Sequence, residues 1–307
     1  MIQMIPEEKI FSLRKEPEFS RIALDIYRNQ SANNVIYRQF LESLRIDPGQ
    51  ISDYRRISFL PVGFFRTHKV ISGNVREEKT FLSSGTSGME RSRHFVRDLN
   101  LYRASLTAGF RFFFGDFEQY DIFALTPAPG DHPGSSLVFM VNEWIRMSGS
   151  DRSGFYMEDQ ERLANLLSGE RKRKTLLIGI TWALLDFAEH YPVRVKDGII
   201  METGGMKGRR REMIREELHE ELKKKFNAGR IYSEYGMTEL LSQAYSEGNG
   251  IFRTPPWMKV LIRDPDGILD VFPHLFHGLT QVQEILQRLV NSRVDILLIG
   301  IQDDIRN

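Results

Sequence analysis

The sequence predicts an α/β fold: mostly parallel sheets flanked by helices, preceded by a helical segment at the N-terminus. Three observations predict it. From Lys79 onward, short apolar runs alternate with stretches of helical spacing, the pattern of a parallel sheet covered on both faces. Before that point, residues 1 to about 60 place apolar residues three and four apart with charges between, as amphipathic helices do. The chain has 307 residues, 41% hydrophobic and 27% charged, which is enough to bury a large core and ordinary for a globular protein.

Taken in order, EEKIFSLRK and PEFSRIALDIYRNQSANNVIYRQFLESL supply the helical segment, residues 1–60. A short extended piece, Ser58 to Val62, leads into VGFFRTHKVISG, which turns at Gly73. The α/β core is expected over residues 61–267. Its strands, or strands passing into a loop or helix, are expected in DIFALTPAP (121–129), SSLVFMVNEWI (135–145), KTLLIGITWALLDFAE (174–189), DGIIMETGG (197–205) and RIYSEYGMTE (230–239). Helices are expected in LYRASLTAGFRFFF (101–114) and RREMIREELHEELKKKF (210–226). The second of these sets Glu217 and Glu221 beside Lys224 and Lys225 and reads as a solvated helix. Residues 268–307 form a divergent tail.

Composition narrows the function. Lys and Arg number 42 against 41 Asp and Glu, a formal net charge of +1, so no global field recruits nucleic acid or an anionic membrane. There is no cysteine, which excludes disulfides, thiolate metal sites and an acyl-cysteine intermediate on this chain. The N-terminus lacks the apolar stretch of a signal peptide, and runs such as Ile296 to Ile299 are too short to span a bilayer. A cytoplasmic protein acting on small molecules is the expectation.

Four loops follow expected strands, where ligands bind in open α/β sheets: SSGTSG, TPAPGDHPGSS, TGGMKGRR and EYGMTE. SSGTSG, residues 83 to 88, fits neither the P-loop, because Glu90 and Arg91 stand where Gly and Lys are required, nor the nucleophile elbow, because Met89 replaces its last glycine. Its hydroxyls and backbone N–H groups can line one concavity and hold phosphate, with Arg91 and Arg93 adding charge; a flexible surface loop has the same composition. In EYGMTE, Glu239 beside Thr238 suits a magnesium ion bridging phosphates, and it equally suits a helix N-terminus with an acidic first turn. The paired Gly204 and Gly205 let a backbone approach a flat ring closely.

The order SSGTSG, TGG, YGMTE resembles the adenylate-forming superfamily. Within it, FLSSGTSG, HPGSSLVFMV, METGGMKGRRREMIREELH and YSEYGMTELLSQAY resemble the LuxE-type acyl-protein synthetases, relatives of phenylacetate–CoA ligases, over roughly residues 60 to 265. The resemblance implies an adenylate-forming-enzyme-like large domain that binds ATP and Mg²⁺. Ser83, Ser84, Gly85, Thr86, Ser87 and Gly88 would face the phosphates. Gly204 and Gly205 would lie by adenine with Tyr235 and Gly236. Thr238 would contact phosphate and Glu239 would hold the metal, with Thr86, Thr238 and Glu239 serving the chemistry. The implied reaction joins a fatty or aryl carboxylic acid to the α-phosphate of ATP, releases pyrophosphate and passes the acyl group to an unknown acceptor, a protein or a small molecule.

Two departures accompany it. No lysine follows Lys259, so the superfamily's C-terminal lysine has no counterpart, and the family's acyl-accepting cysteine is absent. The enzyme then hands its adenylate directly to another molecule, or the tail is impaired. Asp303, or Asp304 next to it, echoes the ribose-binding aspartate, and Gly278 and Thr280 echo a glycine-threonine segment. The alternatives are a serine-based acyl hydrolase or transferase using His132 with Ser135 or Ser136, or a non-catalytic nucleotide-binding remnant. Phe139, Trp182 and Phe187 are candidates for an acyl pocket and for the core alike.

Overall fold

A computed structural model describes residues 7–84, 90–195, 198–206, 208–211, 213–263 and 295–299. The helices are α1 Glu7–Phe11, α2 Glu16–Asn33, α3 Val35–Ser43, α4 Phe64–Thr67, α5 Leu99–Phe114, α6 Ser136–Ser148, α7 Gln160–Ser168, α8 Thr181–His190 and α9 Arg215–Phe226. The strands are β1 Lys79–Leu82, β2 Arg93–Val96, β3 Tyr120–Leu125, β4 Gly154–Phe155, β5 Lys174–Ile180, β6 Ile199–Thr203, β7 Tyr232–Tyr235, β8 Ala244–Ser246, β9 Phe252–Arg253, β10 Lys259–Arg263 and β11 Asp295–Ile299.

Two compact units divide the chain. The first comprises residues 1–108, 237–242 and 254–307, and the second residues 109–236 and 243–253. In the first unit, α2 starts where Pro17 is tolerated and Glu16 and Glu18 meet the positive helix end, and it buries Phe19, Ile22, Ala23 and Tyr27 along one stripe. It stops at Asn34, whose side chain accepts the Tyr37 N–H at 3.0 Å and so caps α3. Two antiparallel pairs complete this unit. β1 pairs with β2, Phe81 opposite His94, and β10 pairs with β11, Val260 opposite Leu298.

The second unit is built on a seven-stranded sheet in the order β4-β3-β5-β6-β7-β8-β9. β4, β3, β5, β6 and β7 run parallel, and β7–β8 and β8–β9 are antiparallel. All six residues of β3 are buried, as a parallel strand covered on both faces requires. The core gathers Phe123, Leu177, Leu184, Phe187, Ile200 and Phe226 between the strands and helices α8 and α9. Gly179 is fixed by packing: a Cβ there would lie 2.8 Å from Leu184 Cγ and 2.9 Å from Leu125 Cβ.

The expected α/β class with a mostly parallel sheet holds. One expected strand is instead a helix: residues 136–148 of SSLVFMVNEWI and beyond form α6. A short apolar run does not separate strand from helix by itself, and the ends decide. Ser135 caps α6 by accepting the Val138 N–H at 3.3 Å, and Gly149, at φ +59°, terminates it. The helix expected over 210–226 begins only at Arg215. Among the described residues, no helix is long and apolar enough to cross a membrane.

Candidate functional site

The serine-glycine run joins β1 to β2. The hairpin closes just below it, where Ser83 N–H donates to the Ser92 carbonyl at 3.0 Å and Ser92 N–H donates to Ser83 Oγ at 2.9 Å. Ser83 thus uses its oxygen as an acceptor and keeps its O–H for donation. Ser84 is exposed. Gly85, Thr86, Ser87 and Gly88 lie outside the described residues, as do Lys207, Gly278, Thr280, Asp303 and Asp304.

The EYGMTE segment leaves β7 and returns to β8, with Tyr235 and Ala244 paired across its base. Its middle, residues 237–242, belongs to the first unit. Leu240 N–H donates to the Met237 carbonyl at 3.2 Å, closing a tight turn whose central residues are Thr238 and Glu239, both partly exposed. This is a turn rather than a helix N-terminus. Buried Leu240 and Leu241 anchor it, and buried Ser242 shares a hydrogen bond of 3.0 Å with the Ser105 hydroxyl and accepts from Trp257 Nε1 at 3.2 Å.

The turn is also tied to the hairpin. His94, on β2, donates its Nδ1–H to the Thr238 carbonyl at 2.8 Å. Burial pulls the imidazole pKa down to about 4, the carbonyl opposing only in part, so the ring is neutral at pH 7. Among the sequence-predicted positions, the base of the serine loop and the Thr238–Glu239 turn are thereby brought together within one unit. Among the described residues, no group of three or more His, Asp or Glu side chains is arranged to hold a metal ion. A magnesium ion bound mainly by phosphate and water requires fewer protein ligands than that, and Glu239 suits the part.

In the second unit, Gly204 and Gly205 end β6 with φ of +73° and +69°. Two successive left-handed residues are what glycine alone adopts freely, and a Cβ at Gly205 would meet nothing within 4 Å. A strand end of bare backbone suits the face of a purine. Tyr235, partly exposed, meets the Phe252 ring edge-on at 6.0 Å, and the Arg215 guanidinium lies 4.8 Å over the other partner of that pair, Phe252.

The second unit also holds a carboxyl pair that sequence reasoning missed, on β6 and β7. Glu234 is buried and accepts the Thr203 hydroxyl, the residue just before the glycine pair. Burial first, and then the charge of Glu202, push its pKa up to about 7 against the pull of that hydroxyl. Glu202 goes the other way. Burial raises its pKa, but His219, Arg215 and Ser233 together hold it below the usual carboxylate range. Thr181 donates to Glu202 at 2.9 Å, and Arg215 stands 3.8 Å away. His219 Nε2, 3.6 Å from Glu202 Oε1, is beyond a normal hydrogen bond and acts as a polar neighbour. The signal in the sequence is a charged residue inside an apolar strand, Glu202 in IIMET and Glu234 in YSEY.

Other expected residues fall elsewhere. Asp131 and His132 are exposed, and the Ser135 hydroxyl is engaged as the cap of α6. Phe187 is fully buried and stacks on Tyr191, so it belongs to the core rather than to an acyl pocket. Trp182 is partly exposed under the Arg209 guanidinium, 4.2 Å from the ring. Arg210 is held by Asp186 and by Glu189 at 2.9 Å, an ion-paired group rather than a free anion site.

The chain is a mixed α/β protein with a mostly parallel central sheet flanked by helices, and solved structures share this fold. The solved structures it is similar to include three of 2-hydroxyisobutyryl-CoA ligase. One, an open conformation in complex with 2-HIB-AMP and CoA, matches with a TM-score of 0.59 and 13% identity over 84% of this chain and 59% of that one. Two in the postadenylation state match at TM-scores of 0.58 and 0.53, each at 12% identity, over 82% and 87% of this chain and 56% and 57% of theirs. The chain therefore spans less than two thirds of the length of these ligases. No family model and no curated protein matches the sequence.

Proposed function

We propose that this protein activates a carboxylic acid with ATP, forming an acyl-adenylate and pyrophosphate, and passes the acyl group to an acceptor. The observation that carries this reading is the bond from His94 to the Thr238 carbonyl. It joins the strand returning from the serine-glycine run to the turn bearing Glu239, as a site that must grip phosphates and their cation together requires. The fold shared with ligases whose structures hold acyl-AMP supports it further. The sequence segments METGGMKGRR and EYGMTELLSQ favour the LuxE-type branch, with a fatty or aryl acid as substrate.

In this reading the substrate carboxylate attacks the α-phosphorus, the bond to the β-phosphate oxygen breaks, and no side-chain nucleophile takes part. The chain contributes position and charge. Ser83, Ser84, Thr86, Ser87 and the backbone of Gly85 and Gly88 donate to the phosphates. Gly204, Gly205 and Gly236 let backbone lie close to adenine, and Tyr235 stacks on it. Thr238 donates to a phosphate oxygen and Glu239 holds magnesium, which when bound neutralises the phosphate charge.

The test is exchange of labelled pyrophosphate into ATP. We expect exchange that requires both Mg²⁺ and an added carboxylic acid, and that Glu239→Ala reduces at least about a hundredfold. Exchange unaffected by that substitution, or absent with every fatty and aryl acid tried, overturns the proposal.

A further inference from the structure

We infer that His94 is the positioning residue for the cation-holding turn, acting through the peptide group that carries Glu239; this rests on the adenylation reading above. The carbonyl that His94 grips belongs to the Thr238–Glu239 peptide. That unit is planar, so fixing its oxygen also fixes the direction of the Glu239 N–H and the position from which the Glu239 side chain departs. One bond therefore aims the carboxylate without touching it.

The anchor is rigid at its other end. His94 is 3% exposed and sits in β2 opposite Phe81, two residues beyond the Ser92–Ser83 closure of the hairpin. Its ring meets Phe65 at 5.6 Å with the planes at 90°, so packing fixes the imidazole as well as hydrogen bonding does. Among the described residues, it is the side-chain hydrogen bond that reaches residues 237–241; the Ser105 and Trp257 bonds hold Ser242, beyond the turn. Loss of the donor leaves the Thr238 carbonyl without its buried partner, and the turn is then held by the β7–β8 pairing at its base, by its own Leu240–Met237 bond and by the anchors at Leu240 to Ser242.

Two substitutions separate positioning from mere stability. His94→Phe keeps a flat ring against Phe65 and removes the donor. His94→Asn gives up the ring but can return an amide N–H near the place of Nδ1. Each is read by pyrophosphate exchange for kcat, the ATP KM and the Mg²⁺ half-saturation, and by amide hydrogen exchange of residues 236–242. We expect His94→Phe to raise the Mg²⁺ half-saturation and lower kcat by about tenfold each, the worth of one buried hydrogen bond. The ATP KM at saturating Mg²⁺ should change less than about twofold, since the uniform binding groups remain. Amides of the turn should exchange faster in His94→Phe and recover in His94→Asn.

If both variants lose thermal stability with Mg²⁺ half-saturation, kcat and turn protection unchanged, His94 is structural only and the inference fails. If the wild type shows no exchange with any acid, the adenylation reading fails instead, and turn protection alone decides whether His94 holds the segment. Should His94→Phe not fold, His94→Gln takes its place: its longer amide reaches toward the Nε2 position and should leave the Thr238 carbonyl unpaired.

Discussion

Replacing Glu234 by Gln should expose a pH dependence of stability that the wild type conceals. Glu234 has a folded-state pKa of about 7 against an ordinary 4.5. Between those values the folded chain keeps a proton that the unfolded chain has released, so stability falls as pH rises and the loss is complete above about pH 7. At about 1.4 kcal/mol per pH unit, the interval is worth about 3 kcal/mol. His94 acts with the opposite sign. Its pKa of about 4 lies below the ordinary 6.5, so the unfolded chain takes up the proton first and stability falls by about 3 kcal/mol as pH drops across that interval. From about pH 4.5 to 6.5 the two slopes cancel. Glu202, held low, adds a loss only on acidification below about pH 5, in wild type and variant alike.

Glu234→Gln keeps the shape and removes the proton. Its unfolding free energy should match the wild type near pH 4.5, rise by about 3 kcal/mol toward pH 6.5, and exceed the wild type by about that amount at pH 8. Urea unfolding at a series of pH values, followed by tryptophan fluorescence and extrapolated linearly, measures this. A variant whose profile runs parallel to the wild type from pH 4.5 to 8 would show that the Glu234 carboxyl ionises normally, and the account of the buried pair would be wrong.

Three other outcomes follow from packing and capping. Gly236→Ala places a Cβ 2.6 Å from Glu234 Oε1, and because moving that buried carboxyl disturbs its bond from the Thr203 hydroxyl, the variant should lose about 1–3 kcal/mol in denaturant unfolding; combining it with Glu234→Ala should recover part of the loss. Gly179→Ala drives a methyl into Leu184 and Leu125 and should cost about 1–3 kcal/mol, visible as a lower melting temperature with little change in ATP KM. Ser135→Ala removes the cap of α6 and should cost about 1 kcal/mol while pyrophosphate exchange continues, whereas a serine hydrolase built on that hydroxyl would lose all activity and all labelling by a phosphonate.

What the sequence determined by itself was local. Charged-and-apolar spacing placed α2, α3 and α5, and buried apolar runs placed β3, β5, β6 and β7, because helical and strand periods repeat within a few residues. The glycine pair at 204–205 was readable as a backbone feature, since no other residue type adopts two left-handed conformations in succession so cheaply. The run 135–145 reads as a strand or a strand passing into a helix and folds as helix from its Ser135 cap onward, because the apolar residues of a buried helix and a buried strand look alike over that length, and the difference lies in a hydroxyl cap and a closing glycine. Tertiary structure alone decided the rest. His94 and Thr238 are 144 positions apart, and no spacing rule relates them. Glu202 and Glu234 are ordinary acids in the sequence; burial and the charge of Glu202 push the Glu234 pKa up, while His219, Arg215 and Ser233 hold Glu202 below the usual range. Solvation and Coulomb energy depend on what surrounds a group in space, and that is settled only when distant segments pack.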